Sequence, residues 1–161
     1  MKAQVIMVLA ASTALAGRPV QGQIDALNAC AATLREVGAG ADGLLSPRTG
    51  VRDAGQRQVT ADVRLLTEGA RQVLFGLEKL LVIEMQGRDP GQMRWLPSAR
   101  RVMVADLLDY CRRGRGSAQA WLRDAGDDRV RDLVQRTALV LDRLEGELKA
   151  CRQDWDGPPG R

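Results

Sequence analysis

The most informative absence from this sequence is histidine, which occurs at none of the 161 positions. Histidine is the commonest general base, the commonest zinc ligand and part of the Cys-x-x-Cys-His motif that attaches haem. The sequence also contains no P-loop, no dinucleotide-binding fingerprint and no nucleophile motif. We therefore expect a protein that is not an enzyme, and we expect no metal and no cofactor.

Aromatic residues are also scarce, at 3% of the chain, and runs that alternate apolar and polar residues over the length of a strand are few. The apolar residues are mainly leucine, valine and alanine, and they recur at helical spacing. A chain of this length usually forms one domain with a core of its own. These features predict an all-α fold.

Long hydrophobic runs are absent except near the N-terminus. Lys2 precedes an uncharged run of about twelve residues, Val5 to Ala16, whereas about 20 are needed to span a bilayer. Small residues end this run, as in a secretory signal. We expect a signal peptide over residues 1–22, cut after Ala16 or after Gly22, and a periplasmic or secreted protein without a permanent membrane span. The alternative is an ordinary first helix of a cytosolic bundle.

The longest helical pattern runs from Asp127 to Trp155, and the rest of the chain must cover its apolar stripe. Leucines such as Leu141, Leu144 and Leu148 recur there at three- and four-residue steps. An aspartate at 127 or 128 is a suitable N-cap, and Gly157 with the prolines after it ends the helix. This pattern predicts a final helix at the centre of the core.

Three earlier helices are predicted. The first covers residues 24–37 and ends at Gly38 and Gly40, before a long connection over residues 38–57. The second covers Gln58 to Gln86. The third begins near Pro97 and ends at Gly114 and Gly116, and a short piece follows over residues 118–125.

Together these patterns predict a four-helix up-down bundle that follows a cleavable N-terminal signal segment. The bundle domain is expected to cover residues 23–155, and residues 156–161 are expected to form a disordered tail.

Two glycines inside the second helix, Gly69 and Gly76, are seven residues apart on one edge of its stripe. Each costs about 1 kcal/mol relative to alanine in a helix interior, so they indicate a neighbouring backbone that approaches closely. A groove for a small apolar ligand is the functional alternative.

The three cysteines are Cys30, Cys111 and Cys151, and all lie on apolar stripes. None is close enough to another in sequence for a metal site. In an oxidising compartment two of them are expected to pair. In a simple up-down bundle Cys30 and Cys151 lie at the same end and Cys111 lies near the opposite end, so we predict a disulfide between Cys30 and Cys151 and a free thiol at Cys111.

The densest basic cluster is Arg112, Arg113 and Arg115, with Arg100 and Arg101 earlier on the same helix. Arg112, Arg113 and Arg115 are candidate partner contacts. The net charge is only +4, and without residues 1–16, whose sole charge is Lys2, 23 basic residues oppose 20 acidic ones. Such a small excess makes nucleic-acid binding a minor hypothesis.

The sequence therefore favours an exported, non-enzymatic bundle that binds a protein partner in the cell envelope, in an accessory, inhibitor or immunity-type role. The first alternative is a carrier of a small apolar ligand in a bundle cavity. The second is a cytosolic basic helical protein that binds nucleic acid.

Overall fold

The structure is a computed structural model, and it describes residues 18–48, 50–87, 91 and 93–156. The described residues are all-helical in their regular structure, without strands, and form four long helices packed side by side. These are α1 (Val20–Leu45), α2 (Ala54–Met85), α3 (Leu96–Asp124) and α4 (Asp128–Asp156). The all-α prediction is confirmed.

Helix α4 begins and ends within one residue of the prediction. Asp127 precedes it, and its Oδ1 accepts a hydrogen bond from the backbone N–H of Arg129 at 2.8 Å. Leu141, Leu144 and Leu148 are fully buried. The stripe of α4 is the centre of the core, as its periodicity predicts.

Helix α1 is longer than predicted at both ends. It begins at Val20 and continues through Gly38, Gly40 and Gly43 to Leu45, so the prediction that glycines end it is wrong. Gly38 lies against Thr67 of α2, and a Cβ atom on Gly40 would be 3.3 Å from Cδ1 of Leu133 in α4. These glycines allow close helix packing, and the connection to α2 covers only residues 46–53.

Helix α2 begins four residues earlier than predicted because Asp53 caps it. The carboxylate of Asp53 accepts a hydrogen bond from the backbone N–H of Gln56 at 2.9 Å. Such a cap satisfies one of the backbone donors that a helix start leaves unpaired. The other end, Met85, agrees with the prediction within one residue.

Helix α3 continues through Gly114 and Gly116 to Asp124, so the predicted stop at these glycines and the separate helix over residues 118–125 are both wrong. Gly114 is buried between α2 and α4. The helix has no room for a side chain at that position, and the contacts around it outweigh the low helix propensity of glycine.

Two ion pairs join the start of one helix to the end of another. Arg18, just before α1, pairs with Glu147 near the end of α4 at 2.7 Å. Arg100 near the start of α3 pairs with Glu84 near the end of α2. Two stacked apolar clusters, each with residues from all four helices, form the core between them.

Two predicted segments lie mainly or entirely outside the described residues. Of the predicted signal peptide, residues 1–17 are outside, whereas Val20 to Gly22 form the first residues of α1. Of the predicted disordered tail, residues 157–161 are outside, and Asp156 is the last residue of α4. Within the described part of the chain, none of the helices is both long and apolar enough to cross a membrane.

Candidate functional site

The predicted basic cluster on α3 is largely neutralised. Arg113 pairs with Asp109 one turn earlier, at 2.9 Å. Arg115 pairs with Asp142 of α4 at 2.6 Å and with Glu145, so it belongs to the interface between α3 and α4. Arg112 is exposed. These contacts leave little of the basic surface that a nucleic-acid partner requires.

The two earlier arginines of α3 are also engaged. The guanidinium of Arg100 lies over the ring of Trp155, 4.2 Å from its centroid, and pairs with Glu84. Arg101 pairs with Asp156 at 3.3 Å. Both arginines therefore connect α3 to neighbouring helices, which gives them a structural role.

The three cysteines are free and buried in the structure, so the predicted disulfide between Cys30 and Cys151 is not supported. Burial raises the pKa of Cys111 to about 12 and that of Cys151 to about 11, and it also raises the pKa of Cys30. A smaller contribution to the pKa of Cys111 comes from Cys30. The placement of Cys30 and Cys111 at opposite ends of the bundle is therefore wrong, because α1 begins at Val20 and Cys30 lies well inside it.

The two glycines of α2 face α3, and side chains of α3 occupy the space beside them. The ring of Tyr110 lies across Gly69, and its hydroxyl donates a hydrogen bond to the carbonyl oxygen of Leu66 at 3.0 Å. The end of Met103 lies over Gly76. Close helix packing accounts for both glycines, and the groove for an apolar ligand that they suggested is filled.

Carboxylates of α3 and α4 pair with arginines one turn away on the same helix. Asp109 pairs with Arg113, and Asp128 pairs with Arg131 at 2.8 Å. Hydrogen bonds from Arg129 lower the pKa of Asp127. Among the residues that the structure describes, no group of three or more potential ligands is arranged to hold a metal ion.

A large surface depression lies between α1 and α2, and we call it the α1–α2 groove. Its first segment has a volume of about 620 Å³ and is lined by Asn28, Ala31, Ala32, Arg35, Arg71, Gln72, Phe75 and Glu78. Its second segment has a volume of about 310 Å³ and is lined by Leu34, Arg35, Gly38, Ala39, Asp42, Arg64, Leu65, Thr67, Glu68 and Arg71. The segments share Arg35 and Arg71, so they lie next to each other along the two helices.

Two large apolar side chains of α2 stand at this groove. Leu65 is 66% exposed and Phe75 is 58% exposed. Phe75 is the only phenylalanine of the chain, and the ammonium of Lys79 lies 4.7 Å from the centroid of its ring. The α1 side of the groove has small side chains, Ala31, Ala32 and Ala39. Apolar side chains beside a shallow groove with small residues are typical of helix-binding surfaces.

The charges of the groove are balanced. Three arginines and three carboxylates line its two segments: Arg35, Arg64, Arg71, Asp42, Glu68 and Glu78. Arg64 pairs with Asp42 across the groove, and Arg71 pairs with Glu68 along α2 at 3.1 Å. A surface of mixed charge suits a partner of mixed charge better than a polyanion.

Other depressions have smaller volumes than the first segment of this groove. One between α1 and α4 has a volume of about 250 Å³ and includes Leu139, which is 68% exposed. Another between α3 and α4 has a volume of about 290 Å³ and includes Val102. Each has one strongly exposed apolar side chain, so the α1–α2 groove is the better candidate.

Sequence reasoning did not select Leu65 and Phe75, although a signal was present. The buried stripe of α2 includes Val63, Leu74 and Leu77, and on a helix of 3.6 residues per turn Leu65 and Phe75 point away from it. Large apolar residues off the stripe of an amphipathic helix indicate a second contact surface.

No family model matches this chain, and neither the search of curated proteins nor the search of solved structures finds a significant match.

Proposed function

We propose that this protein is an exported, non-enzymatic helical bundle that binds a helix of a protein partner in the α1–α2 groove. The role fits an accessory, inhibitor or immunity-type protein of the cell envelope. One observation carries the proposal, namely the exposure of Leu65 and Phe75 beside a groove whose α1 side includes Ala31, Ala32 and Ala39. A partner helix would bury these side chains, which water otherwise surrounds.

The finer topology that we propose is an up-down-up-down bundle. In such a bundle the start of α1 lies beside the end of α4 and the end of α2 beside the start of α3. The pairs Arg18 with Glu147 and Glu84 with Arg100 support this order. In this arrangement the α1–α2 groove lies on the outer surface of the bundle, where a partner helix can contact it.

Export is part of the proposal because of the sequence pattern at residues 1–22, in which Lys2, an uncharged apolar run and small residues occur in the order of a secretory signal. The absence of histidine and the engaged carboxylates support a role without catalysis. The paired arginines of α3 favour a protein partner over nucleic acid.

The proposal is tested by affinity capture of tagged protein from its native envelope. The test variant carries Leu65→Ser and Phe75→Ser, which remove the apolar side chains of the groove at exposed positions. The matched control is Leu139→Ser, at an equally exposed leucine of α4.

We expect one envelope protein to be retained by the natural chain and by the control and lost from the groove variant. Retention by all three chains would place the binding surface elsewhere. Retention of nothing by any chain, together with salt-sensitive DNA binding, would contradict the proposal and favour the nucleic-acid alternative.

A further inference from the structure

We propose that the helix that occupies the α1–α2 groove is α2 of a second copy of this chain, in a two-fold symmetric dimer. This inference rests on the proposed function, since it takes the groove to be a helix-binding surface and names its occupant. The observations that carry it are the spacing of the exposed side chains on α2 and the distribution of charge around them.

The outer face of α2 has one narrow stripe that points away from the core. Five exposed residues follow one another on it at steps of three and four positions: Leu65, Glu68, Gln72, Phe75 and Lys79. This spacing is that of the seam by which two helices pack along their length. The side chains at its two apolar positions are about 15 Å apart along the helix axis, ten residues at 1.5 Å each.

A two-fold axis near residue 70 makes this stripe complementary to itself. When two copies of α2 run antiparallel about that axis, Leu65 of each copy lies opposite Phe75 of the other. The polar residues Glu68 and Gln72 then lie opposite each other at the centre. Such an isologous arrangement repeats every contact twice, so two apolar residues per chain give two Leu–Phe contacts.

Each protomer also supplies the space that these side chains need. Phe75 lines the larger segment of the groove and Leu65 the smaller one. In the antiparallel arrangement Leu65 of one copy enters the larger segment beside Phe75 of the other, and Phe75 enters the smaller segment beside Leu65. Both segments have volumes of at least about 310 Å³, enough for one such side chain. The dimer therefore covers both exposed apolar side chains of α2.

The charges on the α1 side of the stripe are complementary in the same arrangement. Arg64, which also pairs with Asp42 of its own chain, precedes Leu65, and Glu78 follows Phe75. The two-fold axis places Arg64 of one copy about 3 Å along the helix axis from Glu78 of the other, twice. Neither Arg35 nor Glu78 has an ion-pair partner among the described residues. The groove carries equal numbers of positive and negative side chains, and a second copy presents the same balance with the order reversed. Opposite charges at matching positions determine the register and orientation of paired helices.

The first experiment measures the mass of the protein as it is isolated from cells, by sedimentation equilibrium over a range of concentrations. We expect a mass twice that of one chain at high concentration. Leu65→Ser with Phe75→Ser should weaken the dimer by at least about 100-fold, because the symmetry removes four apolar side chains and with them both Leu–Phe contacts. Leu139→Ser on α4 should leave the dimer unchanged.

The second experiment exchanges the charges at positions 64 and 78, and its outcome depends on these two positions lying opposite each other in the dimer. Arg64→Glu and Glu78→Arg, made separately, should each weaken self-association, because each places like charges opposite one another twice. A mixture of the two variants should form a mixed dimer, in which every such pair is again of opposite charge. The double variant should recover the dimer for the same reason. Failure of the mixture and of the double variant to recover it would overturn the register.

The third experiment is site-specific cross-linking. Leu65→Cys mixed with Phe75→Cys should form a disulfide-linked dimer on mild oxidation, since the two positions lie opposite each other. Either variant alone should not, because identical positions are about 15 Å apart along the axis and a disulfide requires Cα atoms within about 7 Å. The three natural cysteines are buried and do not compete.

The outcomes separate this inference from the proposed function. A protein that stays monomeric at all concentrations, but still retains another envelope protein through Leu65 and Phe75, would overturn the dimer and leave the proposed function intact. A dimer that forms the expected cross-link and responds to the charge exchange as expected would support the inference. Loss of this dimer in the variant with Leu65→Ser and Phe75→Ser would show that the second copy binds at this groove.

Discussion

Gly114 of α3 lies so close to Leu141 of α4 that a Cβ atom on the glycine would be 2.8 Å from Cδ1 of the leucine. On the α2 side the same atom would be 3.0 Å from Cδ1 of Leu66. Gly116, two residues further along α3, has no heavy atom within 4 Å of its Cβ position. Both glycines lie in the interior of α3, but only at Gly114 does the packing of the neighbouring helices leave no room for a side chain.

Substitution of these two glycines by alanine should therefore change stability in opposite directions. Gly114→Ala should lower the free energy of unfolding by about 1 to 3 kcal/mol, because the added methyl group overlaps the buried Leu141 and the partly buried Leu66. Gly116→Ala should raise it by about 0.5 to 1 kcal/mol through helix propensity. Urea unfolding followed by circular dichroism measures both. Stabilisation by both changes would mean that the three helices are further apart at Gly114 than the structure has them.

Truncation of the central leucines of α4 should have a large effect. Leu141 and Leu144 are fully buried, so Leu141→Ala or Leu144→Ala should cost about 2 to 5 kcal/mol through lost burial and a cavity. Arg136→Ala removes only an exposed ion pair with Asp132 and should cost less than about 1 kcal/mol. The comparison uses urea melts of the three variants, and equal effects would show that this stripe is not the core.

The cysteines should remain reduced and unreactive while the protein is folded. All three are fully buried, and burial raises the pKa of each thiol, so little thiolate is present at neutral pH. A thiol reagent such as Ellman's reagent should titrate three groups in denaturant and react very slowly without it. Non-reducing peptide mapping is the control: a cross-linked peptide with Cys30 and Cys151 would restore the disulfide that the sequence predicts.

Stability should fall in acid partly because of Glu145. Its carboxylate is almost completely buried and is held by Lys149 and Arg115; the hydrogen bond from Lys149 is the main cause that lowers its pKa below the ordinary value of 4.5. At a pH between the folded-state pKa and 4.5, the carboxylate of Glu145 binds a proton more readily in the unfolded chain than in the folded protein. The stabilisation is therefore complete above about pH 4.5 and is lost as the pH falls through the folded pKa.

Glu145→Gln should consequently lower stability at neutral pH and reduce its dependence on pH in the acid range. Denaturant melts from about pH 7 to about pH 3 measure this. Asp132→Asn is the matched control, since it removes a carboxylate from an exposed ion pair on the same helix. An unchanged acid slope in Glu145→Gln would show that this carboxylate is not held as the structure has it.

The mature protein should begin at Gly17 rather than at Gln23. A cut after Ala16 keeps Arg18, which pairs with Glu147 and Asp154 of α4. A cut after Gly22 would remove that arginine and the first three residues of α1. Intact-mass analysis of native protein distinguishes the two, and a full-length product would contradict export.

Periodicity alone determined the helical content, the course of α4 and the leucines at its centre. The apolar side chains of α4 recur with the helical period over 29 residues and form one stripe, which is buried when that side faces the other helices. The burial of Leu141 and Leu144 therefore follows from their spacing. The same reasoning failed at Gly38, Gly40 and Gly114. The low helix propensity of glycine is worth only about 1 kcal/mol, and close contact with a neighbouring helix outweighs it.

The tertiary structure alone decided which residues meet. The relative position of Cys30 and Cys111 depends on where α1 begins and on how its turns align with those of the other helices, and no local pattern encodes that alignment. Leu65 and Phe75 are as apolar as the core leucines of α2, but they face the side that none of the four described helices covers. Hydrophobicity is a property of each residue, whereas burial depends on the neighbours that the complete fold supplies.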